Sequence, residues 1–223
     1  KVICTAPKLD QVKKVMFGEI SKEFLYLCDH SPWPINPDCM KSLELNLGPD
    51  WFAFGMTTSE SKHESMLGKF HGFKSPNMLV IVSEAQAVHE AIYDQIYGIV
   101  TSENSHILEI GNPMAPQGRF WEHCTQPRYC FNVIKLPAHK SPNVVAGREI
   151  IPGMATQQFI DDIERDWGKE HPYYYARVLA EFPQSSVDCI IPIEWIMRAV
   201  DRKFEKDDQI MVGGCDVSKG GAA

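Results

Sequence analysis

An apolar run in the middle of the chain, residues 78–82, ends abruptly at the polar residue Ser83 and the acidic residue Glu84. Consecutive apolar residues cannot alternate between core and solvent, so this run predicts a buried strand of a parallel sheet with helices on both faces. The carboxyl edge of such a sheet is where α/β proteins bind nucleotides and carry out chemistry. Glu84 is therefore predicted at the mouth of a site, and the alternative is an ordinary buried strand capped by a solvated glutamate.

Hydrophobic spacing on either side of this run predicts an α/β fold in which strands and helices alternate. The predicted elements are, in order, a strand at 1–7, a helix carrying Val12, Val15, Met16 and Ile20, a Pro-rich loop at 28–40, a β-hairpin at 43–54, a helix near 88–100, and strands at 106–110 and 131–136. After a Pro- and Gly-punctuated boundary at 136–153, the pattern predicts helices at 156–167, 172–181 and 193–204, and a strand at 209–215. The strands before Glu84 and Gly111 are short and separated by a helix, so we expect them to lie side by side and parallel.

Composition narrows the class of protein. The chain has 223 residues, of which 44% are hydrophobic, and this is enough to bury a full α/β core. Its 7 cysteines are odd in number and irregularly spaced, which argues against a disulfide framework and predicts a reducing cytoplasm. No apolar run approaches the roughly 18 residues of a membrane span, so no membrane contact is predicted.

The charge balance is acidic, with a net charge of -7 and a pI near 5.6. This argues against a surface that coats nucleic acid generally, because phosphate binding needs clustered lysine and arginine. A local basic track remains one interpretation of Lys135, His139, Lys140 and Arg148, which fall in one connecting segment. A solvated loop is the other interpretation.

A phosphate-binding loop of the form Gly-x-x-x-x-Gly-Lys-Ser/Thr usually accompanies a carboxylate strand of this kind. Residues 68–75 come nearest to it, but Phe73 separates the second glycine from the lysine, and no apolar strand leads into Gly68. The chain starts without a methionine, directly in the predicted strand at 1–7. We therefore expect a core whose first strand and phosphate loop lie outside these residues, in a longer protein.

Short segments of the chain resemble, in the same order, those of the large terminase subunits, the ATPases of viral DNA-packaging motors. The segments are Thr5-Ala6-Pro7 with Gln11-Val12, the stretch 51–57, residues 68–71, the strand ending at Glu84, residues 110–113 with Gly118 and Phe120, and the stretches 175–183, 191–195 and 214–220. Each segment alone is a weak signal. Their shared order over essentially the whole chain makes the resemblance specific.

The resemblance implies a fold, an activity and partners. It implies a mostly parallel P-loop NTPase-type sheet in an ATPase core at 1–136, a connecting loop and helical linker subdomain at 137–207, and the first strand of an RNase H-like nuclease domain at 208–223. The whole protein would hydrolyse ATP to drive double-stranded DNA into a procapsid, and a metal-dependent endonuclease would cut the DNA. The partners implied are a portal ring, a small terminase subunit and further copies of the chain, in the host cell cytoplasm.

The resemblance also assigns roles at the ATPase site. Glu84 would be the catalytic carboxylate that deprotonates the attacking water. Ser83 stands where the family has an aspartate, so the contact to the Mg²⁺ of Mg-ATP would be weaker than usual. Asn112 would couple the γ-phosphate to the rest of the motor, and its alternative is a simple Asx turn favoured by the Asn-Pro sequence.

Other residues receive roles with less support from the pattern. Asp216, at the end of the predicted strand at 209–215, would bind Mg²⁺ or Mn²⁺ in the nuclease domain. Arg119, Arg128, Arg148 and Arg177 are candidates for an arginine finger that neutralises transition-state charge. The sequence does not choose among these arginines.

Alternative functions stay open at this point. The runner-up enzyme is a helicase-like DNA translocase, because its carboxylate strand and coupling element obey the same physics. A different class is a non-catalytic module for nucleic-acid binding or assembly, which Ser83 and the absent phosphate loop would suit. The 223 residues alone are expected to show no ATP hydrolysis, because no phosphate loop is present to hold the nucleotide.

Overall fold

The structure is a computed structural model, and it describes residues 1–58, 70, 72–184 and 199–200. The chain divides into two compact units, Lys1–Cys189 and Ile190–Ala223, and the fold described below belongs to the first. Several predicted features lie outside the described residues, namely most of the 68–71 motif, the stretch 191–195, the strand at 209–215 and Asp216. Across the described part of the chain, no helix has the length and apolar character needed to cross a membrane.

The fold is an α/β sandwich around one sheet. Its strands are β1 (Val2–Ala6), β2 (Met40–Lys41), β3 (Glu44–Gly48), β4 (Trp51–Thr57), β5 (Asn77–Ser83) and β6 (Asn104–Ile110). Its α-helices are α1 (Phe17–His30), α2 (Glu90–Ile99), α3 (Arg119–Thr125), α4 (Pro142–Val145), α5 (Gln157–Trp167) and α6 (Pro172–Tyr174). The six strands are ordered β2-β3-β4-β1-β5-β6. The contacts of β1 with β4 and β5, and of β5 with β6, are parallel, whereas β2, β3 and β4 pair in antiparallel fashion.

Strand β5 is covered on both faces, as its apolar run predicts. One face carries Met78, Val80 and Val82, which are buried in the main core. Helix α2 packs against this face through Ile92, Ile96 and Ile99. On the other face Ile81 packs against the second core cluster. The predicted fold class, a mostly parallel sheet flanked by helices, is confirmed.

Helix α1 and the π-helical turns before it, Gln11–Met16, cover the second face of the sheet. Val12 and Phe17 are buried there against β4, and Gly55 allows this close approach because a Cβ at that position would lie 2.6 Å from Val12 Cγ1. Val15, predicted on the same face, is instead 60% exposed. A π-helix has wider turns than an α-helix, so the spacing that indicates one α-helical face does not hold here.

Strand β6 lies at an edge of the sheet, and no strand among the described residues pairs with its far side. Leu108 and Ile110 on this strand are about half exposed. The strand predicted at 131–136 is not formed, although most residues of the segment are apolar. A strand needs a hydrogen-bonding neighbour, and no described strand supplies one to this segment. Ile134 and Leu136 are consequently exposed at 76% and 84%.

The segment that follows is organised by a buried asparagine rather than by a sheet. Asn143 Nδ2 donates to the carbonyl oxygens of Ile151 (2.8 Å) and Met154 (3.1 Å), and Asn143 Oδ1 accepts from the backbone N-H groups of Ile150 and Ile151 (2.8 Å each). Thr156 then caps helix α5 at its N-terminus. This helix and the turns that follow it form a small apolar cluster with the loop before them.

Candidate active site

Ser83 and Glu84 lie at the carboxyl edge of the parallel part of the sheet. Ser83 is the last residue of β5 and is paired in register with Ile110, the last residue of β6. Glu84 and Gly111 therefore leave the sheet at the same edge, on neighbouring strands. This confirms the predicted placement of the carboxylate beside the Gly111-Asn112 segment.

The backbone of Glu84 is left-handed, with φ 53° and ψ 45°. A side chain with a Cβ pays about 1 to 2 kcal/mol for this conformation, and such strain concentrates at functional sites. A single 3-10 turn, Ala85–Ala87, follows directly. The buried Tyr93 hydroxyl of α2 donates to the Ala85 carbonyl at 3.0 Å and so ties this turn to the core. Burial raises the pKa of Tyr93, which keeps its phenol a neutral donor.

Gln86 joins the two strand ends, and sequence reasoning did not single it out. Its Nε2 donates to Glu84 Oε2 at 2.7 Å, and its Oε1 accepts from the backbone N-H of Asn112 at 3.1 Å. Asn112 is an exposed residue, and its contact with Gln86 is made by its main chain. A polar residue two positions after the glutamate was the signal in the sequence, but nothing in the pattern indicated its partners.

A buried polar network lies behind this edge, between β6 and α3. His123 Nδ1 is 2.7 Å from Glu109 Oε1, and both side chains are almost completely buried. The Glu109 carboxylate can only accept a hydrogen bond, so the proton of this bond is on His123 Nδ1. The other ring nitrogen, Nε2, then accepts from the Tyr97 hydroxyl at 2.6 Å. Burial raises the pKa of Tyr97 to about 12. The His123 ring is stacked on Phe131, with centroids 4.4 Å apart.

Two of the candidate finger arginines, Arg119 and Arg128, meet at Tyr129. Arg119 is engaged with Asp94 and Glu122, 3.5 and 3.4 Å away, and donates to the Tyr129 hydroxyl. Arg128 stacks on Tyr129 with 4.7 Å between the guanidinium carbon and the ring centroid.

The remaining arginines and the basic segment are exposed. Arg148 lies in an exposed bend, and Arg177 rests over the Tyr173 ring. In the segment interpreted as a basic track, Lys135 is paired with Glu181 at 3.1 Å. The structure therefore does not single out one finger, and these roles remain predictions.

The site can offer oxygen ligands to a metal ion from Ser83 and Glu84. In the part of the chain that the structure describes, no group of three or more histidine, cysteine or acidic side chains converges as a self-sufficient metal site. Mg²⁺ carried by a nucleotide needs only one or two protein carboxylates, because phosphate oxygens and water supply its other ligands. A serine hydroxyl and a single carboxylate form a weak half-site for such an ion.

Comparisons with known proteins agree with the resemblance that the sequence motifs indicate. No family model matches the chain. A protein named "Probable terminase, large subunit", from Enterobacteria phage P7, is 23% identical over 216 residues. The match covers 92% of this chain and 41% of that protein, so the chain spans about two fifths of the length of this relative.

A solved structure is also similar, the large terminase from a thermophilic bacteriophage in complex with ADP. The TM-score is 0.48 at 8% identity, over 82% of this chain and 40% of that one. A likeness of this size carries no argument about the site. The sequence similarity to the phage P7 protein extends over nearly the whole chain, and it confirms that this chain resembles part of a large terminase subunit.

Proposed function

We propose that this chain is the greater part of the ATPase of a phage large terminase subunit, and that the whole protein uses ATP hydrolysis to move double-stranded DNA into a procapsid. The observation that carries the proposal is the placement of Glu84 beside the Gly111-Asn112 segment at one sheet edge. A base at this position can activate water against a γ-phosphate, and a main-chain segment next to it can respond to that phosphate. The similarity to the phage P7 protein supports the same function.

The open side of β6 supports the expectation that a further strand completes the core. Its far edge has no partner among the described strands, and Leu108 and Ile110 are about half exposed. The mostly apolar segment 131–136 does not pair with any strand among the described residues. A strand between β6 and this segment would give a hydrogen-bonding partner to each of them. We propose that this strand leads into the phosphate loop. Exposed apolar edges of this kind otherwise favour aggregation.

The remaining assignments are proposals by the same resemblance. Ser83 and Glu84 would face the Mg²⁺ of Mg-ATP, and Asn112 would sense the γ-phosphate. Residues 137–207 would form the linker subdomain. Asp216 would bind Mg²⁺ or Mn²⁺ in a nuclease domain, and a portal ring, a small terminase subunit and further copies of the chain would be partners in the host cytoplasm.

The test of the function is ATP hydrolysis by the full-length protein compared with that of the 223-residue chain. We expect the full-length protein to hydrolyse ATP and the shorter chain to show no turnover, because the phosphate loop supplies most of the contacts to the nucleotide. Phosphate release in the presence of Mg²⁺ measures both. Turnover by the shorter chain, or a full-length protein without a phosphate loop, would contradict the proposal and favour a non-catalytic module.

A second prediction concerns the serine that replaces the family's aspartate. In the full-length protein, Ser83→Asp should bind Mg-ATP about 10-fold more tightly, equivalent to about 1.4 kcal/mol. A carboxylate compensates the charge of the ion, whereas a hydroxyl is neutral. Repulsion from Glu84 opposes this gain, but the side chains of successive residues diverge.

Ser83→Asn is the matched control, because it has the shape of aspartate without its charge. Calorimetric titration with Mg-ATP compares the two variants and the wild type. If aspartate and asparagine bind alike, or if aspartate weakens binding, Ser83 does not face the metal.

A further inference from the structure

Gln86 connects the proposed base to the neighbouring strand through both ends of its side-chain amide. The Nε2 donor is 2.7 Å from Glu84 Oε2, and the Oε1 acceptor is 3.1 Å from the backbone nitrogen of Asn112. A carboxylate can rotate freely unless its oxygens are held. The bond from Gln86 holds one oxygen and leaves Oε1 of Glu84 to accept a proton.

The residues around Gln86 leave its side chain little room to move. Gly111 has no side chain, and a Cβ at that position would lie 2.4 Å from Gln86 Oε1. The same Cβ would also be 3.2 Å from the Ala85 backbone nitrogen and 3.3 Å from the Phe120 ring. A side chain at position 111 would therefore displace the end of the Gln86 side chain. The turn that carries Gln86 is itself anchored by the Tyr93 hydroxyl.

We propose that Gln86 is a positioning residue that orients the Glu84 carboxylate and ties its orientation to the main chain at Asn112. This rests on the proposed ATPase function. Any displacement of the Asn112 backbone by a bound γ-phosphate moves the donor that Gln86 Oε1 accepts from, and the amide transmits that movement to Glu84. The site then aligns its base when the Asn112 segment is in place.

The test uses the full-length protein and three variants. Gln86→Ala removes both bonds, and we expect kcat for ATP hydrolysis to fall by about 10- to 100-fold, because a small misplacement of a reacting group has effects of this size. KM for ATP should change by less than about threefold, because the nucleotide contacts are untouched. Gly111→Ala should lower kcat similarly, since its new methyl group displaces Gln86 Oε1.

The double variant Gln86→Ala/Gly111→Ala distinguishes coupling from separate damage. If Gly111→Ala acts by displacing Gln86, it should lower kcat little further once Gln86 has become alanine, so the two effects should be far from additive. Gln158→Ala, on the exposed face of α5, is the matched glutamine control and should keep the wild-type kcat. Thermal midpoints of all variants check that the fold is intact.

The outcomes separate this inference from the function on which it rests. If the wild type hydrolyses ATP and Glu84→Gln does not, the proposed function stands. A wild-type kcat in Gln86→Ala, or additive effects in the double variant, would then overturn the positioning role alone. A parallel rise of KM and loss of thermal stability in Gln86→Ala would also overturn it, since that pattern is structural damage. A full-length wild type without ATPase activity would overturn both.

Discussion

In the full-length protein, Glu84→Gln is expected to lower kcat for ATP hydrolysis by at least about 100-fold, the usual contribution of a general base. Glutamine has the length and shape of glutamate but cannot accept the proton of the attacking water. Its side-chain oxygen can still accept the bond from Gln86 Nε2. The affinity for Mg-ATP should therefore stay within about threefold of the wild type, because the loss is confined to the transition state.

Steady-state phosphate release and equilibrium binding of Mg-ATP together test this expectation. Glu90→Gln is the matched control, because Glu90 is an exposed glutamate in the first turn of α2, a few residues further along the chain. It should hydrolyse ATP at the wild-type rate. An active Glu84→Gln variant would remove the base from the proposed mechanism. A variant that fails to bind Mg-ATP would instead place Glu84 in nucleotide binding.

Replacement of His123 by leucine is expected to destabilise the protein strongly. The change leaves the Glu109 carboxylate buried without the imidazole that now lies 2.7 Å away. Removing the partner of a buried carboxylate leaves an uncompensated charge, and this costs about 3 to 5 kcal/mol. Within the described part of the chain, Glu109 Oε2 already has no hydrogen-bond partner, so no second bond can compensate. The thermal midpoint should therefore fall clearly below that of the wild type.

Thermal unfolding of the full-length variants measures this effect. The double variant Glu109→Leu/His123→Leu should be more stable than His123→Leu alone, because an apolar pair replaces the buried polar one without leaving a carboxylate behind. His30→Leu, at an exposed histidine that ends α1, should change the free energy of unfolding by less than about 0.5 kcal/mol. If His123→Leu is no worse than His30→Leu, the buried network does not stabilise the fold.

Much of the architecture could be predicted because its signals are local. The apolar run before Ser83 is too long to belong to a half-exposed strand, and the alternation that leads into the turn at 48–50 is typical of a hairpin. Both elements form as predicted. The parallel pairing of β5 and β6 follows from their length and from the helix between them, because the right-handed crossover has few alternatives.

The errors arose where the neighbours of a residue decide its structure. Val15 has helical spacing with Val12, but the π-helical turns carry it into solvent. The segment 131–136 is mostly apolar, yet it is not a strand, because strand formation depends on a partner that its own residues cannot specify. The hydrophobic pattern of a segment indicates whether its residues tend to be buried. Which strand it pairs with depends on the assembled sheet.

The sequence by itself determined that a carboxylate follows a buried strand, because burial of apolar residues and their abrupt end are encoded along the chain. It also indicated Asn112 at the end of the next strand. Only the tertiary structure decided that Gln86 joins them, and that His123 pairs with Glu109 behind the site. These contacts link residues that are up to 26 positions apart, so they exist only when the sheet brings two strand ends within hydrogen-bonding distance. The sequence specifies which side chains are present, but the fold decides which of them lie close enough together to form a site.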